Sequence, residues 1–316
     1  MRQTLRCHVG EEQLLAGAGL IGAVALSLLI SGLPIRTAYH RHALATCLPP
    51  TTRSGCDLIV RHFTSEFANS VRAVRYLALL PAFIGVFVGA PLLAREFEQG
   101  TFRLAWTQTI TKQRWLLSKT TLLAIATVVG GLALSALAMW WRRPFDNLDG
   151  RMTPSAFEIE GFVVPAYALF ALAAGVLAGA LLRRSIAASC AALGAFVAMR
   201  LFVAKILRPH FLPAKHETVS GLTPAAHARD WVLDNSLVDA VGRHISTARE
   251  DLAILHAQHG RIDAADYLLT LGWRRDVTFQ PAGRFWAFQS IEATIFLVAA
   301  LIALALAVRV VQRRGS

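Results

Sequence analysis

The chain has 316 residues, of which 55% are hydrophobic and only 16% charged, and its mean hydropathy is positive. That composition excludes an ordinary soluble domain and directs attention to membrane spans. The formal net charge of +12 could suggest nucleic acid, but the basic residues gather at the ends of apolar runs. A surface facing lipid headgroups accounts for them, and no nucleic-acid partner is expected.

Six stretches are long and apolar enough to cross a bilayer as helices: Leu14–Ser31, Tyr76–Ala94, Thr120–Trp141, Gly161–Leu182, Ser185–Leu207 and Phe285–Val308. A helix rises about 1.5 Å per residue and needs roughly 20 residues for ~30 Å of hydrocarbon. The expected fold class is therefore all-α: one polytopic membrane domain over residues 1–316, with a small helical outer subdomain. The first run follows Arg2 and Arg6, but Glu11 and Glu12 interrupt the basic region and no convincing cleavage site follows, so it is read as a retained span. An even number of spans puts both termini on one side. Arg95, Arg103, Lys112, Arg114 and Lys119 between spans two and three, Arg183 and Arg184 between four and five, and Arg309, Arg313 and Arg314 after span six assign that side to the cytoplasm of a cell-membrane protein.

The loop 36–75 is then external. It holds Cys47 and Cys56, which could form a disulfide worth roughly 2–3 kcal/mol around the turn residues Pro49, Pro50 and Gly55; the alternative is two separate thiols. Span two carries Gly85-x-x-x-Gly89 and span four Gly175-x-x-x-Gly179, a spacing that permits close helix packing. Within the membrane, Arg200 in span five and Glu292 in span six either make a polar contact inside the bundle or, for Arg200 and its neighbour Lys205, snorkel to the interface. In the second external loop, 208–284, Thr247-Ala-Arg-Glu250 reads as a capping box opening a helix that stops at Gly260, and Asp263–Leu271 as a second helix ending at Gly272.

No phosphate-binding loop, nucleophile elbow or His-Glu-x-x-His motif occurs, so neither a catalytic residue nor a nucleotide site is expected. His40 with His42, and His256 with His259, are read as chance pairs, and no metal site is assigned.

The segment 94–119 differs from everything around it. Phe102, Ala105, Trp106, Thr109 and Ile110 fall on one side of a helical wheel, and Arg103, Thr107, Gln108 and Thr111 on the other, with Leu104 as the exception. The spacing predicts a surface helix, separated by Gly100 from the charged end of span two and followed by a helix capped by Thr111. A linker resting on the bilayer would look the same.

The run "APLLAREFEQGTFRLAWTQTITKQRWLLSK" at this point resembles the first cytoplasmic loop of the type-two family of ATP-binding-cassette transporter permeases, the membrane subunits of bacterial exporters. "FQPAGRFWAFQSIEATIF", Phe279–Phe296, is similar to the entry into the last span in a subgroup of that family. The resemblance implies a permease without its own cofactor, ATP and Mg being held by a separate nucleotide-binding subunit, and a second permease copy as partner alongside membrane lipids. At the positions that match the family loop it also implies an ATPase-coupling role for Glu96, Glu98, Gly100, Thr101 and Arg103, and the charged elbow read from the residues adds Arg95, Lys112 and Arg114 to that surface. One departure is that about 13 residues precede span one, leaving little room for the amphipathic entry helix of many relatives. The resulting expectation is ATP-dependent efflux of a hydrophobic or amphipathic compound. The alternatives are a polytopic membrane enzyme with its site in the external loops, and a non-transporting sensor or regulatory subunit.

Overall fold

A computed structural model of the chain describes residues 2–48, 55–98, 112–219, 227–260 and 264–313. Among these residues six helices are apolar and long enough to cross a membrane, at Ile21–Arg41, Ala68–Glu96, Thr120–Asp149, Val163–Leu182, Ser185–His210 and Ala282–Arg313. They are spans one to six, each at the place the apolar runs predict. Several reach further than their runs. Span one continues through Pro34 to Arg41, span three through Arg142, Arg143 and Pro144 to Asp149, and span five through a π-turn, Val203–Leu207, to His210. Hydropathy stops at the first charges; the helices do not, because Arg142 and Arg208 are buried against carboxylates.

Span four is the axis of the bundle. It is 83% buried, whereas the others are 17–44% buried, and it packs against spans two, three, five and six. Its neighbours turn large apolar side chains outward instead: Ile186 is 82% exposed, Leu301 67% and Leu122 64%. Lipid is the solvent that suits such a surface. Span one stands to the side, resting on span three around Ile35, Trp141 and Phe145.

Spans two and four meet through their glycines. A Cβ on Gly89 would lie 2.6 Å from the Leu172 carbonyl oxygen, and one on Gly179 2.6 Å from that of Ala90. Gly85 and Gly175 face each other in the same seam, so the two Gly-x-x-x-Gly stripes form one backbone-to-backbone contact.

Cys47 and Cys56 are joined, with Cα atoms 5.4 Å apart, between a short 3₁₀ turn, Leu44–Cys47, and the helix Cys56–Glu66. The second loop holds the two expected helices, at Thr247–His259 and Ala264–Thr270. The capping residue of the first is Ser246 rather than Thr247: its backbone is extended, and its carbonyl accepts the amides of Arg249 (2.9 Å) and Glu250 (3.1 Å).

The loop also contains a small antiparallel sheet that the helical reading did not include. Strands β1 (Lys215–Val219), β2 (Trp231–Val238) and β3 (Arg274–Gln280) lie in the order β1-β3-β2, with a bulge between Val232 and Asp234. Strand β1 is exposed along almost its whole length, and β2 lacks a regular alternation of buried and exposed residues, so neither shows the period-two pattern that marks a strand. Strand β3 runs directly into span six, which places the sheet over one end of the bundle.

Candidate functional site: a buried charge network and a capped corner

At the sheet-bearing end of the bundle, two clusters of opposite charges surround span four. In the first, Arg208 from the last turn of span five offers Nε to Glu292 Oε2 (2.7 Å) and Nη2 to Glu292 Oε1 (2.7 Å), a bidentate pair. Arg208 is 2% exposed and Glu292 1%, so the pair is dry. The Tyr167 hydroxyl donates a short hydrogen bond to the same carboxylate. Arg200 Nη2 donates to Glu158 Oε2 at 2.7 Å, while Arg208 Nη1 lies 3.4 Å from Glu158 Oε1. The Arg200 guanidinium also stacks 4.0 Å from the centre of the Tyr167 ring.

The suggested contact of Arg200 with Glu292 is therefore replaced by a chain: Arg200 to Glu158, Glu158 to Arg208, Arg208 to Glu292. Arg208, about two helical turns beyond Arg200, is the cation level with Glu292. Arg200 meets the carboxylate supplied by the connection between spans three and four. Two cations and two carboxylates balance, which is the condition for keeping them ionised away from water. Lys205 is exposed and takes no part.

The second cluster ties span three to the same connection. Arg142 Nε lies 3.2 Å from Asp146 Oδ1 and 3.2 Å from Glu160 Oε1, and Arg151 Nε bonds Glu160 Oε2 at 2.9 Å. Glu160 is fully buried. The Arg151 guanidinium packs 4.2 Å from the Phe285 ring, so this cluster reaches the first residue of the span-six helix.

The entry to span six fastens both clusters to the sheet. Gln280, the last residue of β3, donates to the Leu212 carbonyl (2.8 Å) and accepts from Arg284 (2.7 Å), whose Nη1 also reaches the Pro213 carbonyl (2.6 Å). Asp230 accepts the Ala282 amide at 2.7 Å. Two turns along, Gln289 accepts the Val163 amide (3.1 Å) and donates to the Phe157 carbonyl (3.0 Å), holding the start of span four. Gln280, Arg284, Gln289 and Glu292 all belong to the Phe279–Phe296 motif, so its polar residues each have a structural partner here.

Arg208, Glu158, Tyr167 and the Arg142 cluster were not singled out from sequence. Arg208-Pro209 and the stretch 142–160 look like loop. The available signal was that the acidic residues of that stretch, Asp146, Asp149, Glu158 and Glu160, more than offset Arg142, Arg143 and Arg151, a balance that a merely solvated loop does not require.

At the opposite end lies the corner expected to couple to an ATPase. Glu98 reaches the first residue of the span-five helix: its Oε1 accepts the Ser185 amide (2.9 Å) and its Oε2 the Ser185 hydroxyl (2.7 Å). Arg184, the residue before that helix, provides no side-chain cap. A carboxylate from span two therefore does what an N-cap side chain ordinarily does, with the helix dipole in its favour. These bonds from Ser185, and then the nearby Arg95 and Arg184, hold Glu98 below the usual carboxylate range. Arg95 and Glu98 are exposed and Glu96 half-buried. To the coupling role implied for Glu98 the cap adds a contact between spans, which reversal of its charge would break. Gly100, Thr101, Arg103 and the expected helix 102–110 lie outside the described residues, as does Thr111. Lys112 and Arg114 lie in the first turn of the helix Lys112–Asp149.

No curated protein and no solved structure matches the chain. A family model described as ABC-2 membrane transporter related matches residues 18–208, which takes in spans one to five and every member of both charge clusters except Glu292. With six helices fit to cross a membrane and more than half its length matched, the chain belongs to the ABC-2 membrane transporter related family and is a multi-pass membrane permease of that kind.

Proposed function

We propose that this chain is the membrane subunit of an exporter that moves a hydrophobic or amphipathic compound outward, with ATP and Mg held by a separate nucleotide-binding subunit and a second permease copy completing the pathway. Both termini and residues 94–119 face the cytoplasm in this reading, and the loops 36–75 and 208–284 face out. Arg95, Glu96, Glu98, Gly100, Thr101, Arg103, Lys112 and Arg114 form the surface that receives the ATPase.

The observation that carries the reading is the Glu98 cap. A segment that transmits ATP-driven closure must be fastened to more than the span it leaves, and Glu98 joins the end of span two to the start of span five through both Ser185 donors. A push on that corner then displaces two helices together.

The test is reconstitution of the chain with a nucleotide-binding subunit encoded beside it, reading ATP-dependent accumulation of an apolar fluorescent dye in inside-out vesicles. Arg103→Glu should accumulate to normal levels, since the spacing puts Arg103 on the polar face of its helix and charges on such a face contribute only ~0–1 kcal/mol to folding. It should also lose ATPase capture or dye accumulation, because reversal of an interface charge can cost ~2–5 kcal/mol of binding. Full transport by Arg103→Glu would remove the docking assignment. A wild-type chain that captures no ATPase and moves no dye would remove the exporter reading itself.

A further inference from the structure

The fold brings together three metal-ligating side chains that no sequence pattern joins. His42 lies just past the end of the helix Arg2–Arg41, and His62 and Glu66 lie one turn apart on the helix Cys56–Glu66. One ligand atom of each sits within 4.8 Å of the others. The His42 and His62 rings are 6.0 Å apart between centres, tilted by 58°, and His62 Nδ1 is 4.0 Å from Glu66 Oε2. We propose that His42, His62 and Glu66 form a binding site for a divalent transition-metal ion of the zinc class, on the cap between spans one and two.

The ligand set points to that class. Two imidazoles and one carboxylate are the donors of three-residue zinc sites, which leave a fourth tetrahedral position for water or a further ligand. Calcium and magnesium prefer an all-oxygen shell, which two imidazoles cannot supply. Tetrahedral zinc with bonds of about 2.0–2.2 Å sets its ligand atoms roughly 3.3 Å apart, so the three heads need to close by little more than an ångström. They are free to do so: His62 and Glu66 are exposed and His42 half-buried, and the 4.0 Å between His62 and Glu66 is too long for a hydrogen bond.

The backbone beneath them, by contrast, is fixed. The Cys47–Cys56 bridge ties the two elements together, with Cα atoms 5.4 Å apart. Phe63, next to His62, is fully buried and stacks on Phe145 at 5.2 Å, with Tyr39 at 6.3 Å. Mobile ligand heads on an immobile frame are what a site needs in order to bind without refolding. The closest basic side chain on the same helix, Arg61, is drawn away by Asp57 at 3.0 Å. A bare His62–Glu66 ion pair is the competing explanation of the cluster. It needs His62 protonated, whereas a metal needs it neutral, so the two predict opposite responses to pH.

The experiment uses the full-length chain in detergent, stripped of metal and titrated with Co²⁺ by visible absorption and with Zn²⁺ by competition and elemental analysis after dialysis. One ion per chain is expected, with tetrahedral cobalt bands and binding that weakens in acid, because protons compete with the metal for its ligands. His62→Ala and Glu66→Gln should weaken binding at least tenfold, His42→Ala with His62→Ala should abolish it, and His256→Ala should leave it unchanged. All the substituted side chains are at least partly exposed, so a monodisperse elution profile verifies that the variants fold. An unbound wild-type chain, or an ion retained by the double variant, overturns the site. Neither result bears on the ATPase corner, and transport can succeed or fail independently.

Discussion

Span four is held at its two ends by opposite means. Toward the sheet, its neighbours grip it through charge: Tyr167 with Glu292 and Arg208, and the connection at Glu158 and Glu160 with Arg200, Arg142 and Arg151. Toward the opposite end the contact is one of backbone bulk: Gly175 and Gly179 lie directly against the backbone of span two. Lipid tails are as apolar as leucine, so neither end can rely on the hydrophobic effect to sort helices. The charged end is nearly all-or-none, because separating one partner exposes the full desolvation cost of the other. The glycine seam is graded, because dispersion contacts fall away gradually as two helices slide. In the proposed function, a permease that moves its helices at the end that receives an ATPase while keeping the far end registered would divide the two contacts in this way.

The largest effect should come from breaking the charged end. Arg208→Met leaves Glu292 buried without its cation and, among the described residues, with the Tyr167 hydroxyl as its remaining hydrogen-bond partner, a change of about 3–5 kcal/mol. Arg208→Met with Glu292→Leu removes both charges, and Glu158 keeps Arg200 at 2.7 Å. The double variant should therefore regain most of the lost stability, read as the denaturation midpoint in detergent and the amount accumulated in membranes. Equal losses in the single and double variants would mean that the pair is not the unit of stability.

The glycine seam should respond to bulk instead. Gly179→Leu forces its Cβ to within 2.6 Å of the Ala90 carbonyl oxygen, and overpacking of that kind costs about 1–3 kcal/mol. Gly194→Leu in span five is the control, since a Cβ there meets nothing within 4 Å and leucine favours helix over glycine. The midpoint should fall in the first variant and hold or rise in the second. If both behave alike, the close approach of spans two and four contributes nothing specific.

The same contrast explains what the sequence could disclose. All six spans were legible because twenty apolar residues in a row have one stable fate in lipid. The glycine spacing was legible as a pattern, though not as a meeting of spans two and four, since nothing local says which helix a small-residue stripe will face. The charge network was mostly hidden: Arg208, Glu158 and Glu160 fall where hydropathy ends, and a partnered arginine reads the same as a solvated one. Strand β1 escaped notice because its five residues are almost wholly exposed, so no alternating pattern was there to find. Glu98 was visible as part of a family-like run, but its bond to Ser185, 87 residues away, depends on how spans two and five end together.

The smallest effect concerns that bond, and it tests whether the corner is fastened by charge as the far end is. Glu98 is exposed, so water screens it and only a local consequence is expected. Its carboxyl is held below its ordinary value of 4.5 chiefly by the two hydrogen bonds from Ser185. A carboxylate lowered by folding stabilises the folded form above the unfolded value, and that contribution disappears as pH falls from about 4.5 through the lower folded value. Amide protection over the first turn of span five, Ser185 to Ala188, corrected for intrinsic exchange, should thus hold at neutral pH and decline in that acidic window. Glu98→Gln can still accept from Ser185 but carries no charge for the helix dipole, so it should show reduced protection at neutral pH and little further change with acid. Arg95→Gln removes only a secondary contribution and should shift the acid response slightly upward. Protection that is the same in wild type and Glu98→Gln at every pH would detach the cap from the corner and leave the glycine seam, with the Ser189 bond to the Val86 carbonyl, to tie span two to the bundle core.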